Sequence, residues 1–271
     1  MTKIGERLKL LAQNKKTAQY FRTPNGPTIY SGIEEVQFCC ISTLNISGVS
    51  IGIDKIDHFF GNSGMLWREW ENFDPKDRNI SKILQMANNQ EEGVWGLSMT
   101  GIKSYGDLGA NWSGFKFYQQ LIDGPNPYFI CENNKLKLKR QFKIEDYFNK
   151  TWTETVNCSA FKTQKAALIF IENLKHRGMT CPASKADCDE ILDLLHSEPI
   201  VQREIISPTC FKGRKIEDSV KRQGPWNGQS SLPRWLRQAW AVLSTTSWTS
   251  GRGDQNEAFT IKIRSSHFLP R

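Results

Sequence analysis

The residues best suited to chemistry lie in the stretch 51–60, IGIDKIDHFF, which sets ionisable side chains among apolar ones. Asp54 and His58 are four residues apart, so they share a face if this stretch is helical. A carboxylate beside an imidazole fixes its tautomer and favours its protonated form. Such a pair can act as a general base with its orienting group, or supply two metal ligands. The adjacent Lys55 could anchor an anionic substrate.

A second stretch, 104–121, has the clearest helical pattern in the chain and repeats this spacing, because Asp107 and Asn111 are also four residues apart. Apolar side chains at three- and four-residue intervals form one face of the predicted helix. They are Tyr105, Leu108, Trp112 and Phe115. This segment is therefore expected to lie in the core with its polar pair beside the apolar face.

Small residues recur every four positions on the same segment, at Gly106, Ala110 and Gly114. A glycine inside a helix costs about 1 kcal/mol relative to alanine. The stripe therefore indicates close approach of another backbone or of a ligand.

Close approach of the two helices would gather their polar side chains into one candidate site. In that site His58 is the predicted base or metal ligand, Asp54 its orienting group or co-ligand, and Lys55 an anion anchor. Asp107 and Asn111 are predicted as ligands or substrate-positioning groups. Such buried polar groups must be paired or bound to something, and Glu92 is a further candidate member. A divalent metal is the candidate cofactor.

A purely structural interpretation of the same residues stays open. Asp54 would then be a helix N-cap, Lys55 would lie outside, and His58 would be satisfied in the core. Asp107 and Asn111 would bond to the backbone at loop crossings.

The pattern of the whole chain predicts a mainly α-helical protein with a few short strands (α+β). A basic N-terminal helix and linker occupy 1–27, a single helical core domain spans 28–215, and an irregular, basic, Trp-containing extension covers 216–271. Within the core we predict a hairpin around Asn133–Asn134. Further helices are predicted at 81–89, 144–158, 161–176 and 186–196, and strands at 36–41 and 49–53.

Composition restricts the setting only loosely. The formal charge of +8 comes from scattered Lys and Arg, which favours a solvated basic surface over a specific nucleic-acid site. No apolar run is long enough to span a bilayer, and the N-terminus lacks the apolar core of an export signal.

Seven cysteines form no CxxC pair. Cys181, Cys188 and Cys210 lie near prolines and turns, as disulfides often do, although reduced, buried cysteines remain an alternative.

Several pieces of the chain resemble an uncharacterised family of bacterial exported proteins. They are DKIDHFF (54–60), EEGVWGLSMTGIKSYGDLGANWSGFKFYQQL (91–121), NPYFIC (126–131), WTETVNCS (152–159) and ISPTC (206–210). The resemblance covers roughly 30–212 and implies a periplasmic or secreted setting, with a cytoplasmic one as the alternative. It implies no mechanism.

Three functions follow as hypotheses. The first is a metal-assisted or acid–base hydrolase that acts on an envelope lipid or polymer. The second is a non-enzymatic envelope or secreted binding protein whose polar cluster serves stability. The third is polyanion binding through the basic tail after Gln223.

Overall fold

The computed structural model describes residues 21–22, 29–33, 43–46, 49–93, 96–122 and 124–212. Its first sheet is antiparallel and has the order β1 (Phe21–Arg22), β2 (Thr43–Ile46), β3 (Val49–Gly52). Leu44 pairs with Ile51 at the centre of the β2–β3 register. Strand β3 leads almost directly into the first polar stretch, as its β-branched sequence predicts.

Three consecutive helical segments follow β3 without a break. They are α1 (Asp54–Asp57), a π-helical turn (His58–Asn62) and α2 (Ser63–Asn72). The Asn-Ser-Gly run at 62–64 predicts an interruption of the helix, but none occurs. Gly64 instead packs close to the Tyr118 hydroxyl, so a tertiary contact overrides the low helix propensity there. Single π turns often occur at functional sites.

Both the helix before the second polar pair and the helix that carries this pair begin at a side-chain cap. Asn79 accepts from the backbone of Ser81 at the start of α3 (Ile80–Glu92). After the short strand β4 (Ile102–Lys103), Ser104 accepts from the backbone N–H of Asp107 and begins α4 (Tyr105–Gln119). These oxygens satisfy N–H groups that lack partners within the helix.

The predicted hairpin is confirmed as β5 (Phe129–Glu132) paired with β6 (Lys135–Leu138). Asn133 and Asn134 both have positive φ, as a two-residue type I′ turn requires. The predicted helix at 144–158 is wrong. Only two 3₁₀ turns form there, Ile144–Asp146 and Lys150–Trp152, and Asn149 caps the second.

The remaining elements complete the fold. Strand β7 (Ala160–Phe161) pairs with β4, and four helices follow. They are α5 (Gln164–Lys175), α6 (Lys185–Leu194), α7 (Pro199–Ile205) and α8 (Pro208–Lys212). Two disulfides, Cys158–Cys181 and Cys188–Cys210, cross-link this part of the chain, and Cys131 is free and exposed.

Helix α4 lies at the centre, because nearly all of its side chains are buried. Leu108 and Phe115 pack in a cluster with side chains of α2, α3, α6 and α7. Ala110 and Phe117 belong to a second cluster, which includes Phe59 of the π turn. A third cluster packs α5 on β4 and β7.

The predicted mainly α-helical fold with a few short strands is confirmed over the described residues, all of which belong to one compact unit, Met1–Gln223. None of the helices described is long and apolar enough to cross a bilayer. The predicted helix within 1–27, the strand at 36–41 and the tail from 216 lie outside these residues. The boundaries at 28 and 215 stay predictions.

Candidate functional site

The two predicted polar pairs meet, and all five predicted site residues lie in one cluster. His58 Nε2 lies 3.2 Å from Asp107 Oδ2, and His58 Nδ1 lies 3.2 Å from Asn111 Oδ1. Lys55 Nζ lies 3.0 Å from Asp54 Oδ2 and also pairs with Asp107 Oδ1. Helix α1 and the π turn supply one half of the site, and α4 supplies the other.

Glycines of α4 make this approach sterically feasible. A Cβ at position 106 would lie 2.9 Å from Lys55 Cε and equally close to the Trp152 carbonyl oxygen. A Cβ at position 114 would overlap the Phe59 carbonyl oxygen. The predicted role of Gly106 and Gly114 in close packing is therefore confirmed. Gly109 adds a third contact, because a Cβ there would lie 2.7 Å from the Thr151 carbonyl oxygen.

Lys55 is the electrostatic centre of one half of the cluster. Its side chain is 2% exposed, and besides Asp54 and Asp107 it pairs with Glu154 Oε1 at 2.7 Å. Burial alone would lower the pKa of Lys55, but its carboxylate partners outweigh burial and hold that pKa well above its usual value. The lysine therefore stays charged and neutralises part of the buried negative charge.

Glu154 is fully paired and joins the cluster to three other segments. Its Oε1 accepts from Ser104 Oγ at 2.7 Å. Its Oε2 accepts from Tyr30 Oη and from Ser159 Oγ, each at 2.6 Å. Burial raises the pKa of Glu154, but Lys55 and these hydroxyl donors outweigh it, and the pKa is lowered.

His58 is held from both ring nitrogens. A neutral imidazole that donates from Nε2 to Asp107 can accept at Nδ1 from Asn62 Nδ2, which lies 3.0 Å away. Asn62 ends the π turn that begins at His58. The π turn thus places a fourth polar side chain, absent from the predicted set, against the imidazole.

Glu91 lies against this half of the cluster and is 1% exposed. Its Oε1 lies 3.9 Å from His58 Nδ1 and has no hydrogen-bond partner among the described residues. Burial, then the Asp107 carboxylate, raise the pKa of Glu91 well above its ordinary value. A buried carboxylate oxygen without a donor is costly unless a proton or a cation accompanies it.

Asn111 shows the same deficit. It is 1% exposed, and its Nδ2 has no partner among the residues described. Its Oδ1 faces His58 Nδ1. Rotating the amide by half a turn would exchange the two atoms and leave the oxygen without that partner instead. In the orientation that the structure has, one polar atom of this buried amide is therefore unpaired among the described residues.

Three members of the cluster are partly exposed. The Asp54 side chain is 25% exposed, that of His58 14% and that of Asp107 12%. Burial raises the pKa of Asp54, but Lys55 and then His58 outweigh it, so the pKa is lowered and the carboxylate is charged. Asp54, His58 and Asp107 are thus partly exposed to solvent, whereas Glu91 is 1% exposed.

The set His58, Glu91 and Asp107 can offer one ligand atom each within 4.8 Å of one another. One imidazole and two carboxylates form a donor set that divalent transition metals accept.

Part of the structural interpretation is excluded. Ile53, not Asp54, occupies the N-cap position of α1 and makes no side-chain cap bond. Lys55 is buried rather than outside. Asp107 and Asn111 face the cluster, and neither is confined to backbone contacts.

The prediction that Glu92 joins the cluster is wrong by one residue. Glu92 Oε1 lies 2.9 Å from Lys103 Nζ, and it is Glu91 whose carboxylate lies beside His58. Helical periodicity alone could have preferred Glu91, because it falls on the buried face of α3 with Leu84, Ala87 and Asn88. Glu154 was missed because a helix was predicted over 144–158.

Comparison of the chain with protein-family models, with curated proteins and with solved structures finds no match. The function is therefore argued from the cluster itself.

Proposed function

We propose that this chain is an exported hydrolase that holds a divalent cation with His58, Glu91 and Asp107 and acts on an envelope lipid or polymer. The observation that carries the proposal is Glu91 Oε1, a buried carboxylate oxygen without a hydrogen-bond donor, directed at His58. A cation would give this oxygen the partner that the described protein groups do not supply.

The spacing of the ligand atoms supports a cation. Four ligands at about 2.1 Å from a tetrahedral metal lie roughly 3.4 Å from one another. His58 lies 3.2 Å from Asp107 and 3.9 Å from Glu91, measured at different ring nitrogens. A rotation of the imidazole and small shifts of the carboxylates would bring one ring nitrogen and two oxygens to that spacing.

The charges of the cluster also favour a cation. Three carboxylates, those of Asp54, Asp107 and Glu154, share the single ammonium of Lys55, and Glu91 lies against His58. Uncompensated charge in a buried site is strongly unfavourable. A divalent cation would remove most of the excess.

A bound cation would supply hydrolytic chemistry, because it lowers the pKa of a coordinated water to about 7. Asp54 is the most exposed carboxylate of the three that pair with Lys55, so it is the candidate proton acceptor. With Nε2 as the metal ligand, Nδ1–H would donate to Asn111 Oδ1 and fix the imidazole plane, as outer hydrogen-bond partners of metal-bound histidines do.

The envelope setting rests on two separate observations. Disulfides persist in oxidising compartments, and the chain has two disulfides. The sequence resemblance to bacterial exported proteins points the same way. An envelope lipid or polymer is therefore the substrate class proposed.

Metal analysis of the purified full-length chain tests the proposal. After chelation and dialysis, titration with Zn²⁺, Mn²⁺ or Mg²⁺ should give about one bound cation per chain. Glu91→Gln and Asp107→Asn should each weaken cation binding by tenfold or more. Even the loss of a group that only hydrogen-bonds to a metal ligand commonly lowers metal affinity by about tenfold. Hydrolysis of envelope lipids and cell-wall polymers should stop with chelator and return with the cation.

Asp187→Asn is the matched control, because Asp187 is a carboxylate that pairs with Lys150 away from the cluster. It should leave binding unchanged. Failure of the wild-type chain to bind any of the three cations, or equal binding by Glu91→Gln, would refute the metal site.

A non-enzymatic envelope protein is the second candidate, and the complete pairing of Glu154 favours it. Serine, tyrosine and lysine donors leave neither Glu154 oxygen open, as expected of a group that stabilises the fold. If no envelope substrate is hydrolysed with cation bound, and the cation only raises the unfolding temperature, this candidate replaces the hydrolase.

A further inference from the structure

The β5–β6 hairpin exposes leucines that the rest of the described chain does not cover. Leu136 is 55% exposed and Leu138 62% exposed. Strand register places Leu136 opposite Cys131 and Leu138 opposite Phe129. Since alternate residues share a face of a strand, these four side chains lie on one face of the hairpin.

Positively charged side chains are frequent in the same segment. Residues 135–143, KLKLKRQFK, contain four lysines, one arginine and no acidic residue. Lys135, Lys137, Lys139 and Lys143 are all exposed. Among these lysines, Lys137 pairs with the exposed Glu132 at 2.5 Å across the strands. The segment thus combines a local positive charge with exposed aliphatic side chains.

The base of the hairpin is firmly attached to the core, although the described residues leave its leucines exposed. The Arg140 guanidinium lies 3.4 Å from the centre of the Tyr128 ring, and Arg140 also bonds to Gln120. Tyr128 itself is 1% exposed and accepts from the backbone of Lys139. The exposed leucines are therefore held on an ordered strand pair.

We infer that this hairpin docks on an anionic phospholipid surface. Lysine alone would suit any polyanion, but exposed leucines beside the lysines fit a lipid interface, where aliphatic side chains enter the acyl region while cations meet headgroups. Long lysine side chains can reach headgroups from either face of the strand. The inference concerns a surface separate from the Lys55 cluster and does not depend on a cation or on hydrolysis.

Co-sedimentation of the full-length chain with vesicles tests the inference. Vesicles of phosphatidylcholine with phosphatidylglycerol should bind the chain, and vesicles of phosphatidylcholine alone should bind it much less. Binding should weaken with salt. The double variant Leu136→Ser/Leu138→Ser should reduce partitioning about tenfold or more, and Lys135→Gln/Lys139→Gln should reduce it roughly fivefold per lysine.

Two matched controls distinguish binding by this hairpin from non-specific apolar or electrostatic binding elsewhere on the surface. Leu168→Ser/Ile200→Ser removes comparably exposed apolar side chains elsewhere, which are 50% and 49% exposed. Lys175→Gln/Lys185→Gln removes two exposed lysines elsewhere. Both should leave partitioning within about twofold of wild type if the hairpin is the docking surface.

A direct readout of insertion comes from Leu138→Trp. Its fluorescence, compared with that of the nine native tryptophans, should shift to the blue with anionic vesicles and be quenched by brominated lipid.

The inference is overturned if Leu136→Ser/Leu138→Ser partitions like wild type. It is equally overturned if only the lysine substitutions matter and a soluble polyanion such as polyphosphate competes fully, which would indicate a polyanion site. Conversion of a wild-type dimer to monomers by the leucine substitutions, without loss of vesicle binding, would assign the face to a second copy of this chain.

Discussion

The two halves of the polar cluster differ in whether their carboxylates meet a fixed cation. Around Lys55, each of the three carboxylates meets the ammonium and Glu154 also receives three hydroxyl donors, although Asp54 Oδ1 has no further partner among the described residues. Around His58, Glu91 Oε1 and Asn111 Nδ2 have no partner in the part of the chain described. Both halves are buried to a similar degree, so exposure does not explain the difference.

Completeness of pairing separates a structural role from a binding role. A satisfied network stabilises one arrangement of the chain, whereas a buried group left unpaired raises the energy of the empty site. That cost is tolerated at functional sites because a ligand removes it. We therefore assign stability to the Lys55 half and ligand binding to the His58 half.

The largest expected effect comes from Lys55→Met, which breaks the satisfied half. Its carboxylate partners would remain buried without their cation, so the free energy of unfolding should fall by about 3–5 kcal/mol. Urea denaturation measures this change. Lys150→Met is the control, since Lys150 pairs with Asp187 and Glu190 at the surface and should cost less than about 1 kcal/mol. Equal losses in the two variants would contradict the structural role of Lys55.

A smaller, pH-dependent effect is expected for Glu154→Gln. The folded-state pKa of Glu154 is below its ordinary value of 4.5. Its contribution is therefore complete above pH 4.5 and is lost as pH falls through the lowered folded-state pKa. The variant should lose about 2 kcal/mol at neutral pH and should lose less than wild type on further acidification. Urea titrations across this range test it, and parallel curves would exclude Glu154 as a contributor.

The smallest effect, and of opposite sign, is expected for Glu91→Gln in the cation-free chain. Replacing a buried carboxylate that has one unpaired oxygen with a neutral amide should raise the free energy of unfolding at neutral pH by about 1 kcal/mol. Glu92→Gln on the next position is the control. If Glu91→Gln instead destabilised the chain, Glu91 would be a stabilising group like those around Lys55. The two halves of the cluster would then not differ in role.

Much of the site could be predicted from the sequence, because the site depends on the spacing of residues along two helices. Residues four apart, Asp54 with His58 and Asp107 with Asn111, fixed which side chains share a face. The glycine stripe on α4 indicated that the two faces approach each other. These local regularities were enough to bring together side chains that are about fifty residues apart in sequence.

The parts that sequence did not reveal depend on long-range packing. Glu154 reaches Lys55 from a segment of 3₁₀ turns, and no periodic pattern marks such a segment. Tyr30 contributes a single hydroxyl from a short turn. The π turn at 58–62 also has no sequence signature, and Phe59 and Ser63 pack closely against Gly114 there.

The glycines of α4 also bear on how far this sequence can diverge. Positions 109 and 114 face backbone carbonyl oxygens so closely that even a methyl group would displace the neighbouring segment. Surface positions of the same helix carry no such restriction. Among distant descendants that retain the cluster, we expect glycine at 109 and 114 to persist after much of the surrounding sequence has changed, so that the spacing of these two residues becomes an identifying mark of the lineage.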